Sequence, residues 1–243
     1  MTTPSGNYRD SHKGKGRDYH ADFAENPRRA LIWSIERRFL ADIVRRYLPG
    51  GEVAHLDFAC GTGRILAFFE DHVDSSTGVD VATSMLETAR SVVSKAKLIE
   101  ADITREPVFD GQQFDLITAF RFFPNAEPKL RQEVIETLTS LLRPGGLFVF
   151  NNHRNASCLF HRVARMLKRT SASVIGMPAE EVATLVESVG LNIKKTYHVG
   201  IVPEVETRLL RPRFLVSWLE SMATYFPVAR LSENLVYVCH KSM

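Results

Sequence analysis

Asp57, Asp80 and Asp102 each stand at or beside the end of a short apolar run. A carboxylate so placed can accept hydrogen bonds from hydroxyl and amine groups or attract a cation. Between the first two lies Ala59-Cys60-Gly61-Thr62-Gly63, a turn of small residues followed at once by the helical pattern Ile65, Leu66, Phe68, Phe69. A strand, a small-residue turn and a helix N-terminus make a nucleotide-type site: a ligand can approach the backbone, and free N–H groups and the helix dipole favour a negative group. Asp57 changes what such a site takes, because a carboxylate there repels a pyrophosphate and attracts an ammonium. The dinucleotide fingerprint also asks for a third small residue where Leu66 stands, so NAD fits poorly.

The elements that must position these acids follow from apolar periodicity. Leu31, Ile35, Phe39 and Ile43 repeat every fourth residue after Pro27, and Pro49-Gly50-Gly51 ends that helix. Strands are expected over Val53–Phe58, Thr77–Val81, Lys97–Asp102, Phe114–Phe120 and Leu147–Phe150. Helices fall between them, with Arg64–Asp71, a run holding Met85, Leu86, Ala89 and Val92, and a run after Pro128 that Arg143-Pro144-Gly145-Gly146 should close as a turn. Alternation of strands and helices at this spacing specifies parallel βαβ units. Further on, residues 155–169 read as a basic amphipathic helix, Pro178–Val189 and Phe214–Met222 as helices, and Leu191–Val199 and Leu235–His240 as the remaining strands. The expected fold is a doubly wound, Rossmann-like α/β sheet of seven strands with the last one antiparallel and helices on both faces. Residues 1–18 read as a disordered tail and 19–243 as one domain, with a core at 50–152 and an insert at about 200–233.

The run Leu56-Asp57-Phe58-Ala59-Cys60-Gly61-Thr62-Gly63, with Asp80, Ala101-Asp102, Phe114-Asp115-Leu116 and Leu142-Arg143-Pro144-Gly145-Gly146, resembles the class I S-adenosylmethionine-dependent methyltransferases. The resemblance covers about residues 50–152, and it departs from the family pattern at Ala59, where the first glycine of the turn usually stands. It implies that Asp57 and the backbone around Ala59, Gly61 and Gly63 hold the methionine part of S-adenosylmethionine. It implies Asp80 for the ribose hydroxyls, Val81 and Met85 beside the adenosine, Asp102 for the adenine amine and Ile103 on the ring. Phe120 and Arg121 then lie beside the sulfonium, Tyr19 stacks on the site from an N-terminal segment, and one of Arg28, Arg29, Arg37 and Arg38 pairs with the cofactor carboxylate. The product cofactor is S-adenosylhomocysteine, and the implied acceptor is an oxygen or nitrogen of a small molecule, such as a sugar.

On the substrate side, Arg121, Asn151, Asn152 and His153 follow the fourth and fifth strands, at the edge where open parallel sheets bind ligands. His153 has the pKa class of a general base for a hydroxyl acceptor, and Arg121 suits an anionic group on the substrate or an internal ion pair. The stripe Phe214, Trp218, Met222 suits core, pocket lining or a homodimer contact. A net charge of +3 does not argue for nucleic acid, and Phe120-Arg121-Phe122-Phe123-Pro124-Asn125 lacks the Asn/Asp-Pro-Pro-Tyr/Phe pattern of base methylation. The three cysteines form no CxxC pair and no zinc set, so no metal is expected. No apolar run is long enough to span a membrane, and the N-terminus lacks the apolar core of a signal peptide, so the expected location is the cytoplasm.

Overall fold

The computed structural model describes residues 26–48, 50–159, 163, 176–201, 213–223 and 230–242. Helix α1 (Pro27–Tyr47) opens with proline at a position where a helix needs no N–H donor. It turns the fully buried Ile35, Phe39, Leu40 and Ile43 onto the sheet. The strands are β1 (Ala54–Phe58), β2 (Ser75–Asp80), β3 (Lys97–Glu100), β4 (Phe114–Ala119), β5 (Leu142–Asn152), β6 (Leu191–Val199) and β7 (Asn234–Lys241). Between them come α2 (Arg64–Phe69), α3 (Thr83–Ala89), a 3-10 turn (Phe123–Asn125), α4 (Pro128–Leu141), α5 (Ala179–Glu187) and α6 (Arg213–Ala223).

One sheet results, in the order β3-β2-β1-β4-β5-β7-β6. Neighbours from β3 through β5 are parallel, and β7 runs antiparallel to both β5 and β6. The period-2 alternation of side chains divides the core in two. Ile117, Phe148, Phe150, Leu235 and Tyr237 face one apolar cluster. Leu116, Val149, Val236 and Val238 face the other, together with α1. Because both faces are covered, β4 and β5 read as nearly continuous apolar runs. The strand order reverses between β1 and β4, and the C-terminal edge at such a switch point is the natural crevice for a ligand.

Three local expectations need correction. Arg143-Pro144-Gly145-Gly146 does not stand outside the sheet as a helix-ending turn: it lies within β5, which begins directly after α4. Phe114 pairs with Leu142 and Leu116 with Leu147, so the extra residues form a bulge that the short β4 does not match. Asn155, expected to begin a basic helix, instead makes a bridge to Met177, and residues 160–162 and 164–175 lie outside the described residues. The α6 stripe is not core: Phe214 is 72% exposed, Trp218 57% and Met222 46%. The helix is tied down elsewhere, by Glu220 Oε2 accepting the N–H groups of Gly200 and Ile201 at 2.9 and 3.2 Å. The expected tail over residues 1–18 and much of the expected insert also lie outside the described residues.

Candidate functional site

The turn after β1 is anchored by backbone bonds from Cys60 N–H to the Val79 carbonyl (3.1 Å) and from Gly63 N–H to the Cys60 carbonyl (3.0 Å). Its tight path needs left-handed backbone at alternate residues: Ala59 has φ +53°, Gly61 +55° and Gly63 +81°. At Gly63 a Cβ would also press on Val93 and Ala89 at 3.1 and 3.2 Å, so glycine is required on two counts. Ala59 holds the same type of conformation with a Cβ, which costs a non-glycine residue about 1–2 kcal/mol. Ala59→Gly removes that strain but adds freedom to the unfolded chain. The net expectation is a gain of up to about 1 kcal/mol, seen as a higher urea midpoint. A lower midpoint would show that Ala59 is not strained.

Asp80 ties the turn to β2. Its Oδ2 accepts Gly61 N–H at 2.8 Å and its Oδ1 accepts Ala82 N–H at 2.9 Å. Asp102 stands just past β3, where its Oδ1 accepts the Thr104 hydroxyl at 2.6 Å and the Thr104 N–H at 3.1 Å. Both carboxylates are therefore oriented by their own loops.

Asp57 is different. It is fully buried, its Oδ1 accepts the Thr118 hydroxyl at 2.6 Å, and its Oδ2 makes no hydrogen bond among the described residues. Burial pushes its carboxyl up to about 7, against the pull of the Thr118 hydroxyl, the Arg64 charge and the Leu66 N–H, the last too far from Oδ2 to make a hydrogen bond. A buried carboxylate oxygen without a donor is an unmet demand for a cation or an N–H group.

A cavity of about 500 Å³ adjoins it, with Asp57, Ala59, Gly61, Phe120 and Arg121 in its wall together with Trp33, Arg37 and Arg64. Arg64, the first residue of α2, lies 4.2 Å from the centre of the Trp33 ring and donates to Glu36 Oε2 at 2.7 Å. Glu36 is 1% exposed, and its other oxygen accepts from Asn234 Nδ2 at 3.3 Å. Asn234 Oδ1 in turn accepts from Asn151 Nδ2 at 3.3 Å, and Asn151 Oδ1 accepts the Arg121 N–H at 2.6 Å. Arg121 has φ +63°, and Asn125 Nδ2 donates to its carbonyl at 2.6 Å. A continuous polar line thus runs from α2 through α1, β7 and β5 to the end of β4, and it fixes the backbone that presents Arg121.

The cavity wall gathers Asp57, Ala59, Gly61, Phe120 and Arg121 of the expected site, and Asp80 joins them through Gly61. Val81 is exposed, whereas Met85 and Ile103 are buried, so among the ring-contact candidates Val81 alone offers an open face. Asn151, expected on the substrate side, is buried and works as a backbone brace instead. Asn152 is also buried and donates to the Met177 carbonyl at 2.8 Å. His153 follows β5 with a buried Nδ1 that makes no hydrogen bond among the described residues. Burial pushes its pKa well down, and the charges of Arg121, Arg154 and Arg29 push it further, so the imidazole is neutral near pH 7. Tyr19 lies outside the described residues. Arg64, Glu36 and Thr118 escaped the sequence reading, although an arginine opening the helix after a small-residue turn was a visible signal for the first of them.

Residues 56–146 match the family model of a methyltransferase domain. The malonyl-[acyl-carrier protein] O-methyltransferase of Enterobacter lignolyticus (strain SCF1) is 31% identical over 117 residues, covering 48% of this chain and 45% of that protein. The dTDP-3-amino-3,6-dideoxy-alpha-D-glucopyranose N,N-dimethyltransferase of Streptomyces fradiae is 32% identical over 107 residues, covering 44% and 35%. The chain thus spans about half or less of the length of these relatives. Among solved structures, magnesium protoporphyrin IX methyltransferase from Synechocystis PCC 6803 with bound SAH superposes with a TM-score of 0.67. That likeness covers 96% of this chain and 98% of the other at 11% identity, so it speaks to the fold. The matched segment carries the small-residue turn after β1 and the end of β4, both in the cavity wall, so this part of the chain is similar to a methyltransferase domain.

Proposed function

We propose that this protein transfers a methyl group from S-adenosylmethionine to an oxygen or nitrogen of a small molecule. The observation that carries the reading is the buried Asp57 Oδ2, which makes no hydrogen bond among the described residues, in the wall of a cavity bounded by a left-handed small-residue turn. An ammonium answers that oxygen in charge and in hydrogen-bonding capacity, so the residues present fit the cofactor. When bound, the cofactor supplies a methyl group on a sulfonium.

The chain's own residues then bind, orient and shield. Asp57 holds the amine. Arg37, in the same wall, suits the cofactor carboxylate. Asp80, at the end of β2 and oriented by the Gly61 and Ala82 N–H groups, is placed for the ribose hydroxyls. Asp102 and Val81 stand at the adjoining strand ends, where the adenine would lie. Phe120 contributes an apolar wall beside the reacting centre, which excludes water. Arg121, held in place by Asn151 and Asn125, presents a cation for an anionic group on the acceptor. His153 follows β5 at the ligand edge, but burial and the charges of Arg121, Arg154 and Arg29 make it a weak base for the proton that a hydroxyl acceptor loses. The two relatives named above are an O-methyltransferase of malonyl-[acyl-carrier protein] and an N,N-dimethyltransferase of a dTDP-linked amino sugar, which supports oxygen or nitrogen acceptors.

Isothermal titration with S-adenosylhomocysteine tests the cofactor site. Micromolar binding is expected, and its absence in well-folded protein would overturn the reading. A screen of small hydroxyl, carboxyl and amine acceptors follows from the first outcome.

A further inference from the structure

Behind Asp57 a line of polar side chains crosses three strands where apolar ones would ordinarily pack. His55 is fully buried, with Nδ1 2.7 Å from Ser76 Oγ on β2 and Nε2 2.8 Å from Thr118 Oγ1 on β4. Thr118 Oγ1 reaches on to Asp57 Oδ1 at 2.6 Å. Register makes this contact set unavoidable: His55 is paired directly with Ser76, and Asp57 directly with Thr118. His55 and Asp57, two residues apart on β1, share the face that carries α1 and α2, where the His55 ring packs 4.6 Å from that of Phe69.

With Asp57 ionised, the protons in this line have one arrangement. Thr118 has a single hydroxyl hydrogen, and Asp57 Oδ1 takes it. His55 Nε2 must then carry a hydrogen and donate to Thr118, while Nδ1 accepts from Ser76. Burial supports the neutral ring that this requires, pushing His55 down to about 3. All donors point towards Asp57, and the line stops at its second oxygen, which makes no hydrogen bond among the described residues.

We propose that His55 and Thr118 are positioning residues for the cofactor amine: they occupy Asp57 Oδ1 and fix the carboxylate plane so that Oδ2 alone meets the ammonium. This rests on the cofactor reading above. A purely structural role for the line would make its loss weaken every ligand of the cavity alike. A positioning role makes the loss selective for the amine.

The experiment compares S-adenosylhomocysteine with its deamino analogue, in which hydrogen replaces the amino group, by titration calorimetry on the full chain. Wild-type protein is expected to prefer the amine-bearing ligand by about tenfold or more, the worth of one hydrogen bond to a charged group. Thr118→Val should lose most of that preference while binding the deamino analogue as before. Thr118→Ser, which keeps the hydroxyl, should restore it. In a double-mutant cycle, Asp57→Asn should cost little further preference once Thr118 is Val. If Thr118→Val does not fold, Thr118→Cys takes its place, with a weak donor in a similar volume and the same expectation. Preference retained in the folded variant, or both ligands weakened equally, overturns the positioning role and leaves the cofactor site standing. Wild-type protein that binds neither ligand overturns the cofactor reading and this inference together.

Discussion

Asp57→Asn is expected to melt higher than the parent at pH 8 while binding S-adenosylhomocysteine at least ten times more weakly. The cause is the burial that lifts the Asp57 carboxyl from 3.8 to about 7. An acid whose folded pKa lies above its unfolded value binds protons more readily when folded. Its ionised form therefore opposes folding, from the unfolded pKa of 3.8 upward, and the penalty is complete above about pH 7. At about 1.4 kcal/mol per unit, a rise of this size costs up to about 4 kcal/mol at pH 8 without ligand. Asparagine keeps an acceptor for Thr118 and carries no charge, so it removes the penalty together with the attraction for an ammonium. The difference in stability between variant and parent should shrink as pH falls towards 4. His55 adds a separate pH effect, since its depressed pKa lowers stability as pH falls below 6.5, but that effect is common to both proteins. Thermal melts at pH 5 and pH 8 test this directly. A variant that melts at or below the parent at pH 8 would show that Asp57 is already paired, and the assignment of its free oxygen would fall.

Asp80→Ala is expected to weaken S-adenosylhomocysteine binding by about 5- to 150-fold, or 1–3 kcal/mol, through lost hydrogen bonds to the ribose. The structure adds a second cost. Asp80 also accepts the N–H groups of Gly61 and Ala82, so its removal leaves the turn after β1 without its tie to β2. Stability should fall by about 3 kcal/mol, the low end for two hydrogen bonds to a charged group, because Asp80 is only half-buried. Asp80→Asn, which retains one good acceptor, should fall between. Unchanged affinity in folded Asp80→Ala would remove Asp80 from the cofactor site and leave it a purely structural tether.

Much of the frame was legible because local chemistry and global fold agree here. The apolar runs of β4 and β5 announce strands covered on both faces, and acids ending successive runs mark the ligand edge. What escaped depended on pairings that no local window contains. Thr118 sits 61 residues from Asp57, and Glu36 sits 28 from Arg64; neither partnership exists until strands and helices are placed. Periodicity put Met85 on the correct face of its helix but could not tell a side chain under the sheet's cover from one open to a ligand. Pro144-Gly145-Gly146 carries turn chemistry wherever it occurs, and only the register of β4 shows that the turn was folded into a strand as a bulge. Asn151 looked like chemistry because it ends a strand at the ligand edge, yet the Arg121 backbone claims its amide.

The polar line through Asn151, Asn234 and Glu36 has a consequence for the newly made chain on the ribosome. Asp57, Asp80 and Arg121 are synthesised long before residue 234, but the brace that sets the Arg121 backbone closes only when β7 slots between β5 and β6. A nascent chain can thus lay down the small-residue turn early and still lack a finished cavity. The wall that presents Arg121 is thus set last, as the consequence of one inserted strand.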